Sequence, residues 1–115
     1  MLHAYNKALS PTYCAARSSI IDEFGQHYWP GPHGCADWLK SWDAEMKAEG
    51  LTDAVVTTGK PVQLKVDGDH AYAVYSASLD YKLKGKPMRE KATWTVAFEK
   101  QTGAWRIVAW SWGQL

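Results

Sequence analysis

From Thr52 onward the chain alternates apolar and polar positions almost without pause. Thr52–Thr58, Pro61–Val66, His70–Leu83, Met88–Lys100 and Ala104–Trp112 are rich in Val, Thr, Tyr and Trp, and each reads as a strand. Between them stand Gly59-Lys60, Asp67-Gly68-Asp69, Gly85-Lys86-Pro87 and Thr102-Gly103. Turns this short make successive strands antiparallel neighbours. Two of the strands run past ten residues, so the sheet has to coil or bend.

The first half carries a helical period instead. Ala4, Tyr5, Ala8 and Leu9 fall at helical spacing within Leu2–Leu9. Ser10-Pro11 then offers an N-cap and a first-turn proline for a second short helix through Arg17. Ser18–Asp22, with its Ile pair, reads as a strand, and Glu23–Trp29 with Gly25 as a turn or short arm. Gly31-Pro32 opens the longest helix, with Ala36, Leu39, Trp42 and Met46 on its apolar side and Trp38 at the margin. Asp37, Lys40, Asp43, Glu45 and Lys47 face water, and Gly50 is placed to stop the helix. Helices followed by a meander of long strands define an α+β class. The 115 residues are expected to form one domain, 1–115, around one core.

Composition narrows the function. Net charge is +1, and Lys82, Lys84, Lys86, Arg89 and Lys91 interleave with Leu83, Gly85 and Glu90 as a solvated hairpin tip would. With no long basic run and no reading element, nucleic acid is not the expected partner. No stretch has the apolar length of a membrane span. Cys14 and Cys35 stand without a CxxC pair and are expected as buried, reduced thiols in a cytoplasmic protein. Seven Trp, six Tyr and two Phe exceed what so small a chain needs, which suggests a core of large rings, a lined pocket or a broad interface.

"SIIDEF..H.W.GP", "VDGDHAYAVYSA", "KGKP..E..TWTVAFEK" and "WRIVAWSW", in this order and with these turns, resemble the ketosteroid-isomerase-like superfamily, also called SnoaL-like or nuclear-transport-factor-two-like. The resemblance covers essentially the whole chain. It implies a cone-shaped α+β barrel: a strongly curved, mainly antiparallel sheet wrapped around N-terminal helices, with a pocket at the open end. It also implies homodimers packed through the outer sheet face. The stretch before Ser10 is roughly three helical turns shorter than members usually carry. Activity does not follow from the fold, which serves isomerases, dehydratases, cyclases, epoxide hydrolases and non-enzymes.

Within that resemblance Asp22 occupies the place of the isomerase's general base. A carboxylate at a strand end aimed into an apolar cone is partly desolvated, which lifts its pKa toward the range useful for proton transfer. The bland alternative is a side chain bonded to turn amides. The isomerase's two oxyanion donors would fall near Met1 and Val96, and neither residue can serve, so steroid isomerisation is not expected. His27, five residues past Asp22, is the second catalytic candidate, since dehydratase and cyclase relatives share proton transfer between aspartate and histidine. Trp29, Tyr75, Trp94, Val96, Phe98, Trp110 and Trp112 are the candidate pocket walls. Strict alternation puts Trp110 and Trp112 on the face opposite Trp105 and Ile107. His27, His33 and Cys35 lack a fourth partner for a metal, and neither metal nor cofactor is expected.

The expected function is therefore a pocket that binds an apolar or aromatic small molecule, or transforms it by acid/base isomerisation, dehydration or cyclisation. A non-catalytic binding or dimerisation module is the alternative. Water activation of the epoxide-hydrolase kind, which needs an Asp–Arg–Asp cluster, is a weaker one.

Overall fold

Alternating branched and aromatic side chains from Leu51 to Gln114 build most of the molecule; the computed structural model describes residues 14–115. Seven strands and one helix occur among them. These are β1 (Cys14–Ile21), β2 (Tyr28–Trp29), α1 (Gly34–Glu49), β3 (Leu51–Thr58), β4 (Gln63–Asp67), β5 (His70–Leu83), β6 (Lys86–Gln101) and β7 (Ala104–Gln114). They form one curved, unclosed sheet in the order β2-β1-β7-β6-β5-β3, with β4 sharing the outer edge of β5. Every pairing is antiparallel except β1 on β7. The α+β cone expected from the sequence is the fold observed.

The long β5–β6 hairpin runs unbroken from His70 opposite Glu99 to Leu83 opposite Lys86. Lys84 and Gly85 close it with φ of 51° and 84°, the left-handed pair that matches the twist of the strands. On its inner face Ala73 meets Val96, Tyr75 meets Trp94 and Ala77 meets Ala92, all buried. The small alanines leave room for the large rings beside them.

Strict alternation fails at one place that matters. Ala97 opposes Ala109 while Phe98 opposes Ile107, so Val108 is an extra residue in β7. This bulge flips the phase, and Ile107 (1% exposed) and Trp110 (4% exposed) both turn inward. The expectation that they lie on opposite faces is corrected accordingly.

Helix α1 begins at Gly34, three residues after the Gly31-Pro32 signal, and ends on Gly50, whose φ of 72° lets its N–H reach the Met46 carbonyl. Its buried side is set by Cys35 and Trp38, while Ala36 faces water. The helix start is capped from outside: the Cys35 N–H donates to Ser18 Oγ at 3.1 Å.

Two further expectations are corrected. Cys14 to Arg17 are strand, not the end of a second short helix; the helix expected over Leu2–Leu9 lies outside the described residues. The two cysteines are not free thiols but form a disulfide joining the start of β1 to the first turn of α1. Closing the chain across a separation of 21 residues removes entropy from the unfolded state. Replacing both cysteines by serine is thus expected to cost about 3 kcal/mol in urea unfolding. An unchanged midpoint would mean that the two sulfurs are not joined in the protein. No helix among the described residues is long and apolar enough to cross a membrane.

Candidate functional site

The strand β1 ends at Ile21, and the next residue turns inward. Asp22 is 8% exposed although it is a carboxylate at the edge of a loop. The loop is tight: the Asp22 N–H donates to the His27 carbonyl at 3.0 Å, and the His27 N–H donates to the Phe24 carbonyl at 3.0 Å. Inside this ring of hydrogen bonds the Asp22 side chain has little freedom. Its Oδ1 accepts the Glu23 N–H at 2.7 Å, and its Oδ2 accepts the indole Nε1–H of Trp38 at 2.9 Å. Burial nevertheless dominates, and the Asp22 pKa is raised above its ordinary value, with these two hydrogen bonds opposing the rise. Asp22 is thus both pocket-facing and bonded to a turn amide.

Asp22 opens into a cavity of about 340 Å³ between α1 and the sheet. Phe24, Trp38, Trp42, Trp110 and Trp112 supply rings to its wall, and Leu51, Val56, Leu79 and Tyr81 extend it along β3 and β5. The rings brace one another. Trp38 stacks on Trp42 with centroids 5.8 Å apart and meets Trp110 edge-on at 4.9 Å, and Phe24 bridges Trp42 and buried Trp29.

A second acidic group stands beside Asp22. Glu23 and Glu90, from the loop and from β6, are hydrogen-bonded side chain to side chain. The Trp112 Nε1–H donates to Glu90 Oε2 at 2.6 Å, and the Gln114 N–H donates to Glu23 Oε2 at 3.2 Å. A second carboxyl group at this position disfavours the ionised form of Glu23. Desolvation and then the Glu90 contact push the Glu23 pKa up to about 7. A raised carboxyl pKa stabilises the fold fully below the unfolded value of 4.5, and that stability is lost as pH rises through about 7. Glu23→Gln is therefore expected to raise the melting temperature at pH 8 and to change it little at pH 4. Glu23 also meets solvent, which screens the pair and keeps the slope shallow. A parallel pH profile for variant and parent would refute the raised pKa of Glu23.

The sequence candidates distribute unevenly. Asp22, Trp110 and Trp112 line the cavity together. His27 does not join them in the cavity wall: it is exposed, has a φ of 67°, and its ring Nδ1 lies 3.3 Å from the Asp22 backbone carbonyl. Trp29 is buried behind Phe24, with its Nε1–H on Ser41 Oγ at 3.0 Å. Tyr75, Trp94 and Val96 are packed in the core, and Phe98 rests against it. Sequence reasoning missed Trp38 as the partner of Asp22, and it missed Glu90. The signal for Glu90 was present, since it continues the inward phase of Ala92, Trp94 and Val96 along β6. No cluster of three metal-ligating side chains occurs among the described residues, and Cys35 is committed to the disulfide.

A family model described as a SnoaL-like domain matches residues 1–112. The chain belongs to the SnoaL-like family. No curated protein matches it. Several solved structures share the fold of this SnoaL-like chain. An NTF2-like superfamily protein from Salmonella enterica serovar Typhimurium is 16% identical, with a TM-score of 0.72 over 98% of this chain and 82% of its own. Hexachlorocyclohexane dehydrochlorinase LinA-type3 from Novosphingobium barchaimii is 16% identical, with a TM-score of 0.70 over 90% and 68%. A putative calcium/calmodulin-dependent protein kinase II association domain from Xanthomonas campestris is 14% identical, with a TM-score of 0.68 over 98% and 81%. At these identities the likeness speaks for the SnoaL-like fold alone.

Proposed function

We propose that this protein takes an apolar or aromatic small molecule into the cavity and removes a proton from it, with Asp22 as the base. The observation that supports this most directly is the placement of Asp22: nearly buried, raised in pKa, fixed by the Trp38 indole, and open to a cavity walled by rings. In the ionised form it would take a proton from a carbon next to an electron-withdrawing group. The electron pair then stays as an enolate or expels a leaving group on the neighbouring carbon. Glu23, whose carboxyl pKa is pushed up to about 7, can return one. Isomerisation, dehydration and cyclisation all begin this way, and elimination by the dehydrochlorinase neighbour is a reaction of the same class. Among the described residues no arginine lines the cavity, which weighs against epoxide hydrolysis through an Asp–Arg–Asp cluster.

One observation favours a non-catalytic binding module as the second reading. Both Asp22 oxygens already accept a protein hydrogen bond. Exchange separates the two. With 2-tetralone in D₂O, saturable replacement of its α-protons, followed by proton NMR and abolished in Asp22→Asn, would support the base. Binding without exchange above the buffer rate would support the module, and absence of binding would sink both.

Partner and location belong to the same proposal. A homodimer through the outer sheet face is supported by Tyr72, which is 42% exposed on that face. The cytoplasmic expectation rested on reduced cysteines; with Cys14 and Cys35 joined, an oxidising compartment fits better.

A further inference from the structure

Most apolar cavities are lined by rings and aliphatic groups with a mixed handful of polar ones. This one is one-sided. Its charged lining is Asp22, Glu23, Glu45 and Glu90, and no lysine, arginine or histidine of the described residues joins them. Among the described residues, Lys82 pairs with Asp53 and Arg89 with Asp80, and neither ion pair involves any of the four. The apolar lining includes four indoles, Trp38, Trp42, Trp110 and Trp112. Two of them spend their N–H on the carboxylates of Asp22 and Glu90, so what they offer a guest is ring surface.

Indole faces attract cations through the ring quadrupole, and carboxylates in a partly desolvated site add a field of the same sign preference. Anions are repelled, and a neutral guest gains only burial. We infer that the ligand of this cavity is an apolar organic cation, an aryl- or alkylammonium compound whose charged nitrogen lies among the tryptophans and the four acidic side chains. This rests on the proposed pocket and names the class of molecule that enters it. Proton removal then occurs at a carbon of the guest beside a carbonyl group, which takes up the electron pair as an enolate. The positive charge of the guest would in turn hold Asp22 in its ionised, basic form.

Three probes of similar shape test the charge alone: phenyltrimethylammonium, its neutral carbon isostere tert-butylbenzene, and benzenesulfonate. Binding is read by quenching of the cavity tryptophans. The expected result is roughly tenfold tighter binding of the ammonium than of the isostere. The sulfonate should bind weakest, and the preference should shrink in Glu45→Gln and in Glu90→Gln. If the neutral isostere binds as tightly as the ammonium, the cation inference is overturned while the pocket stands. If 2-tetralone undergoes Asp22-dependent exchange and no ammonium binds, the inference fails and the proposed base survives. If no probe binds and no exchange occurs, both fall.

Discussion

Gly34→Ala is expected to cost about 4 kcal/mol or more, enough to remove most of the stability of a domain this size. The reason is space. A Cβ at Gly34 would lie 2.5 Å from the carbonyl oxygens of both Ser18 and Trp29, and 2.8 Å from the Ser19 Cα. All three are backbone atoms of strands, so no rotamer change can relieve the clash. Either β1 and β2 separate or α1 lifts away, and overpacking of this kind exceeds the usual range for one added methyl. Lifting the helix would also strain the Ser18 N–H to Pro32 carbonyl bond at 2.9 Å and the Ser18 Oγ cap on Cys35. Gly59→Ala is the matched control, because a Cβ there meets nothing within 4 Å. Urea denaturation with both variants decides the matter. Equal midpoints would show that α1 does not approach β1 as closely as described. A destabilised but folded Gly34→Ala should also lose the cavity's ligand, since Trp38 rides on the displaced helix.

How much of this could be read in the sequence depended on how local each signal was. The meander was legible because period-two alternation and short Gly-containing turns are properties of a few adjacent residues. Even the length of the β5–β6 hairpin followed from them. The phase of β7 was not legible, because the bulge at Val108 exists only against the register of β6. The helix start failed for a similar reason: Gly34 and the Ser18 cap matter through residues on other strands. The disulfide illustrates the limit most plainly. Two cysteines 21 positions apart in sequence carry no sign that β1 and α1 bring them together. In the site, Asp22 could be singled out from its position after a strand and before a Pro-Gly turn. Its partner Trp38 lies 16 residues away and its acidic neighbour Glu90 on a strand taken for a solvated hairpin tip. His27 was singled out by proximity in sequence, and the positive φ that turns it toward the Asp22 carbonyl is a feature of the closed loop.

Asp22→Asn is expected to slow any proton-transfer reaction of the cavity about 1,000-fold while leaving the protein folded. The amide is nearly the same shape but has no basic oxygen. In the parent, the rate should rise with pH as Asp22 ionises, with a midpoint above its ordinary value of 3.8 because burial disfavours the charged form. Stability should respond in the opposite sense. A raised folded pKa means that the native state holds the proton more tightly than the unfolded chain. That contribution is complete below 3.8 and is lost as pH rises through the folded value. Asn escapes this loss, so the variant should gain on the parent as pH increases. It also gives something up at every pH. The carboxylate accepts from both the Glu23 N–H and the Trp38 indole N–H, whereas the amide has one oxygen and must turn its NH₂ toward one of these donors. Leaving a buried donor unpaired costs about 1–3 kcal/mol. The variant is therefore expected to be less stable than the parent at pH 4 and closer to it at pH 8. A purely structural Asp22 would give the same stability pattern, since burial raises its pKa in either case, but no change in exchange of a bound ketone's α-protons. Measuring the exchange rate on the same two proteins at both pH values separates a base that happens to be hydrogen-bonded from a hydrogen-bond acceptor that happens to line a cavity.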